Sequence, residues 1–544
     1  MKTRNFERRE FLKTLGGGLS LVALDWGAFP VRVAGKGKGG DYDVIVVGSG
    51  LGGLSCAAAF ARQGFKPLVL EQHDRPGGYA TSFTRRGGFE FDVSLHSTVV
   101  GERDGLYDLI PGFPEITGVE FVPHPELYRV IFPGHDIRVP QKDPESYIRQ
   151  LGGLFPEEEE GIRGIMEDMR GLRKDIGKLS SGASVDMSRF PVDFPFLFKS
   201  YSRTWGELLA MRIRNPKLQA IISAQWAYYG LPPSRLSSFY YALPAIQYLE
   251  SGGFYTKGRS QSISNALVNF IEEKGGKVML RTPVVEILVE EGMATGVRTF
   301  DGDEFRSRAI VSNASAQDTF RKLVRGSEFL EEYLLRLDKF SVSLSSFQVF
   351  LGLKEDLVGR SGITGSEIFV EKGYDMEAGY RAMLDADVEN GGYALTLYDN
   401  IYKGYSPEGK NTLNIMTLQG FGHWEPFETG YFEGNREEYW KEKERMAGIL
   451  VRKVEEDLLP GLSGAIEVME IGTPLTNLRY TGNPRGAIYG YDQTMDNSGR
   501  SRLGHSTPVK NLYLSGAWTS PGHGYGGVLG SGLECFAEIM EHLG

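Results

Sequence analysis

Six residues near the start of the main body, Gly48-Ser49-Gly50-Leu51-Gly52-Gly53, have the spacing G-x-G-x-x-G. Glycine at these positions serves one kind of chemistry, the close approach of backbone N–H groups to a pyrophosphate. Gly48 permits a tight turn, Gly50 lets the chain reach phosphate oxygens, and Gly53 lets a helix lie against a strand. The elements needed to position them are present on both sides. Asp43 to Val47 is a continuous β-branched run, the pattern of a buried parallel strand. Leu54 to Ala61 is an alanine-rich helix whose N-terminus offers free N–H groups and the positive end of its dipole. Gly64-Phe65-Lys66-Pro67 turns the chain, and Leu68-Val69-Leu70-Glu71 forms the next strand. Glu71 lies 23 positions after Gly48, where a carboxylate can accept both hydroxyls of a ribose. A glycine motif alone is weak. Set between strand and helix and closed by an acid, it specifies a dinucleotide site.

The residues that follow select the dinucleotide. After Glu71-Gln72 comes a second glycine pair, Gly77-Gly78, then Tyr79-Ala80-Thr81-Ser82. That pair is the extended fingerprint of flavoproteins, in which the chain folds back along the pyrophosphate and ribityl chain. The expected cofactor is therefore FAD. No second fingerprint for NAD(P)H is present.

Val69-Leu70-Glu71-Gln72-His73 and Phe89-Glu90-Phe91-Asp92, with His96 four residues on, resemble the phytoene desaturase, carotenoid isomerase and retinol saturase superfamily of flavoproteins, itself related to amine oxidases. The likeness is greatest to the retinol saturase branch and recurs along nearly the whole body. Gly252-Gly253-Phe254-Tyr255 and Lys257-Gly258 precede a helix over 263–271, and Thr282-Pro283-Val284 opens a later strand. The resemblance implies that Val284 pairs its backbone with the adenine. It also implies that Gly516, ending the strand Asn511 to Ser515, touches the pyrophosphate. A helix beginning near Gly527-Val528 then aims its N-terminus at the flavin edge where negative charge develops. Ser94 and Arg259 stand where relatives carry glycine, and Tyr79-Ala80 also departs from the desaturase pattern, which leaves substrate and reaction open.

The implied fold class is α/β, α+β overall: a discontinuous Rossmann-like FAD-binding domain of the amine oxidase/phytoene desaturase type, with an interleaved substrate-binding domain. The expected flavin segments are 41–115, 250–335 and 470–544, and the substrate segments 116–249 and 336–469. The latter carry aromatic clusters, Phe194-Pro195-Phe196-Leu197-Phe198, Trp226-Ala227-Tyr228-Tyr229 and Phe239-Tyr240-Tyr241, which either pack a core or line an apolar tunnel to the flavin.

Flavin chemistry asks the protein for orientation and electrostatics. The candidates near the ring are His96, Asp92, Trp518, His523 and Tyr525, with His96, His523 and Tyr525 as the catalytic set. His96 either protonates a carbon beside a polarised double bond or, with Asp92, only hydrogen-bonds the flavin loop. Three functions fit these residues. One is saturation, desaturation or cis/trans isomerisation of a carbon–carbon double bond in an apolar, isoprenoid-like substrate. The second is amine-oxidase-like chemistry using oxygen, and the third is a non-catalytic flavin- or lipid-binding protein.

Composition bounds the rest. Of 544 residues, 41% are hydrophobic and 24% charged, the balance of an ordinary globular chain, and the length favours two domains. The first 40 residues hold eight Lys/Arg against three acids; since the whole chain is −10, the remainder carries −15. A body that acidic excludes nucleic acid as an expected partner. Within those 40 residues, Arg8-Arg9-Glu10-Phe11-Leu12-Lys13 and an apolar run to Leu24 resemble a twin-arginine export signal. The run is too short to span about 30 Å of hydrocarbon. The expected location is the periplasm or the outer face of the membrane, with peripheral membrane association among the expected contacts and a cytoplasmic location as the alternative. An exported enzyme lacks soluble NADPH, so the expected electron partner is oxygen, a quinone or a small redox protein. Cys56 and Cys535 are read as buried small residues, and no His/Cys spacing points to a metal.

Overall fold

The computed structural model describes residues 42–94, 96–99, 105–180, 186, 188–325, 330–498 and 501–543. The export-like segment lies outside these. A five-stranded, all-parallel sheet is ordered Leu512–Leu514, Ile310–Ser312, Val44–Val47, Pro67–Leu70, Lys277–Met279. Its central strand explains the β-branched run read above. Side chains alternate across a sheet, so Val44 and Val46 enter one apolar cluster while Ile45 and Val47 enter another. The first cluster is built by three helices, Leu51–Arg62, Gln261–Glu273 and Tyr525–Leu543. The second is covered by a three-stranded antiparallel sheet, Val284–Glu290, Met293–Thr299 and Glu304–Arg306, with the residues that follow it. The strands of the parallel sheet thus come from three separated stretches of chain.

A second, mixed sheet of seven strands is ordered Ile466–Gly472, Ser345–Leu353, Asn411–Gln419, Tyr393–Thr396, Glu367–Val370, Tyr128–Phe132, His135–Val139. Here period two separates a dry face from a polar one. Phe347, Val349, Leu351, Ile368, Val370, Leu395, Leu413 and Ile415 pack beneath the helix Glu437–Asp457. Gln348, Phe350, Glu367, Thr396, Thr412 and Asn414 are left on the opposite face. That face meets the hairpin Ser82–Arg85/Phe89–Asp92: Phe350 packs on Phe89 and Phe91, and Gln348 Nε2 donates to the Val93 carbonyl at 3.0 Å. Helices between residues 144 and 251 form a third apolar body around Trp205, Trp226 and Tyr241. The strand Ile466–Gly472 runs across residue 470 and pairs with Ser345–Leu353, so chain on both sides of that position belongs to the second sheet.

Candidate functional site

The glycines of the motif converge on one side chain that was not among the expected site residues, Asn313. A Cβ at Gly50 would stand 2.5 Å from Asn313 Nδ2, and one at Gly52 would stand 2.9 Å from Asn313 Oδ1 and 2.7 Å from Gly516 Cα. Gly516 has φ +96°, and a Cβ there would lie 2.5 Å from Asn313 Oδ1. Its N–H donates to Ser531 Oγ at 2.8 Å. Asn313 ends the strand Ile310–Ser312 and so wedges between the turn at Gly48–Gly52 and the turn at Gly516. Gly53 leaves its Cβ position only 2.4 Å from the Gly48 carbonyl, which is why the helix can lie on the strand. Gly50 bridges Gly77, and Gly78 touches nothing but Gly50 Cα near its missing side chain.

These residues fit a dinucleotide. The helix Leu51–Arg62 starts at Gly50 with no side-chain cap and no acid in its first turn, leaving its first N–H groups for an anion. The helix Tyr525–Leu543 also has no acid in its first turn, and a Cβ at Gly524 or Gly526 would meet nothing. That helix starts two residues earlier than Gly527, so the Val528 N–H is already spent on the Gly524 carbonyl at 3.0 Å. The N–H groups of its first turn belong to Tyr525, Gly526 and Gly527. Glu71 differs from the expectation of two free hydroxyl contacts. Its Oε2 accepts the Ser49 N–H at 2.8 Å and the Ser49 hydroxyl at 2.6 Å; its Oε1 accepts the His73 N–H at 2.9 Å. A carboxylate oxygen accepts two hydrogen bonds, so only Oε1 keeps capacity for a ribose hydroxyl. Gln72 is exposed and donates to the Tyr480 carbonyl at 3.4 Å, while Thr81 Oγ1 donates to the Gly78 carbonyl at 2.9 Å. Val284 opens its strand in the loop where Thr282 N–H donates to the Glu71 carbonyl at 2.7 Å.

A second group of side chains forms where the hairpin strand Phe89–Asp92 meets the polar face of the seven-stranded sheet. Asp92 accepts hydrogen bonds from Tyr255 and from the Ser260 hydroxyl. Arg259 lies beside it, 3% exposed at φ +61°, bonded to the Glu90 carbonyl and to Thr412 Oγ1 and stacked 4.2 Å over the Tyr405 ring. Burial raises the Asp92 carboxyl, and Arg259 opposes this. Tyr255 stacks on Tyr398 at 3.8 Å. Tyr398 in turn reaches His96 Nδ1 at 3.0 Å and Glu367 Oε1 at 3.2 Å. Tyr228 stacks on His96 at 5.4 Å and donates to Glu367 Oε2 at 3.2 Å. Asp92, His96, Arg259, Tyr398, Thr412 and Asn414 line one small cavity of about 20 Å³.

The catalytic set is thereby linked without being in one shell. Burial holds His96 at about 4 and His523 at about 3, both below the usual 6.5, so both rings are neutral at pH 7. His523 Nε2 is 3.2 Å from the Tyr228 carbonyl, and its ring lies 4.4 Å from Tyr489. Tyr525 sits near Thr256, Ser260 and Asp92, and burial pushes its phenol up. Trp518 is 3% exposed and donates to Asn483 Oδ1 at 3.2 Å. The buried Arg502 binds the carbonyls of Ala517 and Thr519 and so holds this loop. Of the aromatic clusters, Phe194, Trp226 and Tyr241 are core, whereas Tyr228 faces His96 and Tyr240 donates to the Pro521 carbonyl.

Asn313, Arg259, Tyr255, Glu367 and Tyr398 were not among the expected site residues. For Glu367 a signal existed, an acid inside the apolar strand Glu367-Ile368-Phe369-Val370. Arg259 showed only as a departure from glycine, and Tyr398 follows its strand in a turn that no motif marks. Cys56 and Cys535 are buried and free, on two packed helices, and burial with Cys56 as a neighbour pushes the Cys535 thiol up. Among the described residues no group of three or more His, Cys, Asp or Glu could hold a metal, and no helix is long and apolar enough to cross a membrane.

Comparison with known proteins places this geometry. The model of the family described as flavin containing amine oxidoreductase matches residues 51–540. The chain is 26% identical over 540 residues to the chloroplastic prolycopene isomerase of Daucus carota, covering 96% of this chain and 84% of that protein. It is 28% identical over 538 residues to the all-trans-retinol 13,14-reductase of Danio rerio, covering 92% and 86%. Among solved structures, wild-type putrescine oxidase bound to putrescine matches with a TM-score of 0.60 at 14% identity, covering 92% of this chain and 99% of that one.

Proposed function

The chain belongs to the flavin-containing amine oxidoreductase family, and from that premise we propose that this FAD-dependent oxidoreductase acts on carbon–carbon double bonds of an apolar, isoprenoid polyene. The observation that carries the reading is the tyrosine-walled surround of His96, a buried and neutral imidazole. Tyr228 and Tyr398 flank the ring, and its pKa of about 4 keeps it neutral. Such a ring can pass a proton without itself carrying a charge. The retinol reductase and prolycopene isomerase that the chain resembles are named for polyene substrates, which supports the same class.

In this reading Gly48, Gly50, Leu51, Gly52, Gly53, Glu71, Gln72, Gly78, Thr81, Val284, Gly516 and Gly527 hold FAD, with Asn313 bracing the turns that carry them; Val528, its N–H spent within the helix, does not. FAD supplies hydride exchange with the substrate. The protein's own part is to bind the chain, exclude water and hold a proton at His96. His523 and Tyr525 position the neighbouring loop, His523 against the Tyr228 carbonyl and Tyr525 against the Asp92–Ser260 cluster. The parallel-sheet segments form the flavin domain, and the seven-stranded sheet with the helices of 144–251 forms the substrate domain. With one dinucleotide fingerprint, electrons pass to or from oxygen, a quinone or a small redox protein. The Arg8-Arg9 segment exports the folded enzyme, and it meets its substrate at a membrane surface without crossing it.

Lipids extracted from the purified protein and identified by mass spectrometry test the substrate class. Recovery of a polyene or other isoprenoid is expected. Recovery of polar amines alone would sink the reading in favour of an oxygen-using amine oxidase, the chemistry named in the family's description.

A further inference from the structure

Glu367 is 1% exposed on the polar face of the seven-stranded sheet, since Ile368 and Val370 take the dry face. It accepts hydrogen bonds from the Ser97 N–H at 3.0 Å, the Tyr398 hydroxyl at 3.2 Å and the Tyr228 hydroxyl at 3.2 Å. Among the described residues no lysine or arginine pairs with it. A buried carboxyl with three donors and no cation is costly when charged. No part of the dinucleotide cradle needs it.

Tyr398 is the pivot. Its single hydroxyl proton has two acceptors, Glu367 Oε1 at 3.2 Å and His96 Nδ1 at 3.0 Å. It can serve one of them strongly at a time, and the more basic acceptor wins. A carboxylate outcompetes a neutral imidazole. A neutral imidazole outcompetes the hydroxyl oxygen of a protonated carboxyl, here Oε1, which also receives the Ser97 N–H and gives its own proton to the Tyr398 oxygen.

We propose that the charge on Glu367 sets the tautomer of His96 through Tyr398. With Glu367 ionised, Tyr398 donates to it, His96 carries its proton on Nδ1 and donates to the tyrosine oxygen, and Nε2 is a bare acceptor. With Glu367 neutral, Tyr398 donates to Nδ1 and the ring proton stands on Nε2. Nε2 is buried without a hydrogen-bond partner among the described residues, and His96 lines the cavity. Nε2 is therefore a donor in one state and an acceptor in the other, while the ring stays neutral in both.

The two states are the beginning and end of one proton delivery. Nε2–H gives its proton to a substrate carbon, Nδ1 takes the Tyr398 proton, and Tyr398 takes the Glu367 proton. Glu367 ends as a carboxylate, and bound reduced FAD would supply the hydride, hydrogen and electron pair together, that completes a saturation. Run backwards, the relay removes a proton. This catalytic consequence rests on the reading that the cavity receives a double bond; the tautomer coupling rests on the hydrogen bonds alone.

Burial raises Glu367 to about 7 and lowers His96 to about 4, so the carboxyl titrates near neutrality while the ring does not charge. The groups facing the pair are Tyr228, Tyr398 and the Ser97 N–H. His124, whose ring lies 6.3 Å from Tyr398, is itself held at about 4 by burial. The nearest charged pair, Asp92 and Arg259, lies behind Tyr255 and the two charges offset one another.

Nitrogen NMR of protein labelled with 15N-histidine tests this, with His96 identified by the signals lost in His96→Gln. The ring nitrogens of His96 should exchange protonated and bare shifts between about pH 6 and 8, never reaching imidazolium. Glu367→Gln should hold the Nε2–H form throughout that range, and Tyr398→Phe should abolish the response to pH. A wild-type tautomer that stays constant, or one that switches unchanged in Glu367→Gln, overturns the coupling and leaves the FAD and polyene reading standing. In turnover, Glu367→Gln should flatten the pH profile of kcat near neutrality. A switching tautomer with an unchanged kcat profile overturns the relay as a catalytic device.

Discussion

Asn313 shows how much one side chain can organise. It stands under Gly50, Gly52 and Gly516 at 2.5–2.9 Å from where their Cβ atoms would be, so it defines the shape of two turns at once. Asn313→Ala should therefore cost about 1–3 kcal/mol of stability and release FAD more readily, read as flavin retained after gel filtration. Full retention at unchanged stability would contradict the bracing role. Arg259 sets two effects against each other. At φ +61° a non-glycine residue is strained by about 1–2 kcal/mol, so Arg259→Gly relieves the backbone. It also removes the nearby charge that opposes the burial of Asp92 and strips the Glu90 carbonyl and Thr412 hydroxyl of their buried donor, at about 1–3 kcal/mol for each group left unpaired. The second effect is larger, so Arg259→Gly should lower the urea midpoint. A higher midpoint would show that the Asp92 carboxyl is neutral or otherwise compensated. At this scale the sequence was legible where backbone geometry demands glycine, and silent at Asn313 and Tyr398, whose roles exist only when distant segments meet.

The helices Leu51–Arg62 and Tyr525–Leu543 are nearly 500 residues apart in sequence and touch through glycine. A Cβ at Gly532 would lie 2.3 Å from the Gly52 carbonyl and 2.7 Å from the Cys56 N. Both obstacles are backbone, which cannot swing aside. Gly532→Ala should separate the helices at a cost of about 1–3 kcal/mol and disturb Gly516, whose N–H is held by Ser531. Equal stability and flavin content in the variant would contradict this. The strand, helix and strand from Val44 to Leu70 were readable because burial on both faces writes an unbroken apolar run. The seven-stranded sheet was not foreseen. Its pairing of Glu367–Val370 with Tyr128–Phe132, and of Ser345–Leu353 with Ile466–Gly472, joins residues more than 100 apart. Local patterns carry no register for such pairs.

At the scale of the molecule, buried titrating groups shape stability. His96, His124 and His523 sit at about 4, 4 and 3 in the folded state, against 6.5 when exposed. The unfolded chain binds protons near 6.5 that the folded one refuses, so their contribution is present above pH 6.5 and lost as pH falls toward 4. Glu367 and Glu371 are raised to about 7 and 8 from 4.5. Their contribution is present below 4.5 and lost as pH rises through 7 to 8. Between 4.5 and 6.5 three histidines outweigh two glutamates, and above 6.5 only the glutamates act. These five groups put maximum stability near pH 6.5; urea midpoints that keep rising from pH 6.5 to 9 would contradict that. The dinucleotide chemistry was plain in the sequence, whereas the chamber beside it depends on a second sheet meeting the first. The central claim joins the two. Holoprotein is mixed without oxygen with all-trans-retinol or prolycopene, once with oxidised and once with dithionite-reduced flavin, and the polyene absorption is followed. The account predicts a changed polyene spectrum in one flavin state: bleaching for saturation, extension for desaturation, a band shift for isomerisation. Unchanged polyenes in both states, with the flavin bleached by simple amines, would contradict it.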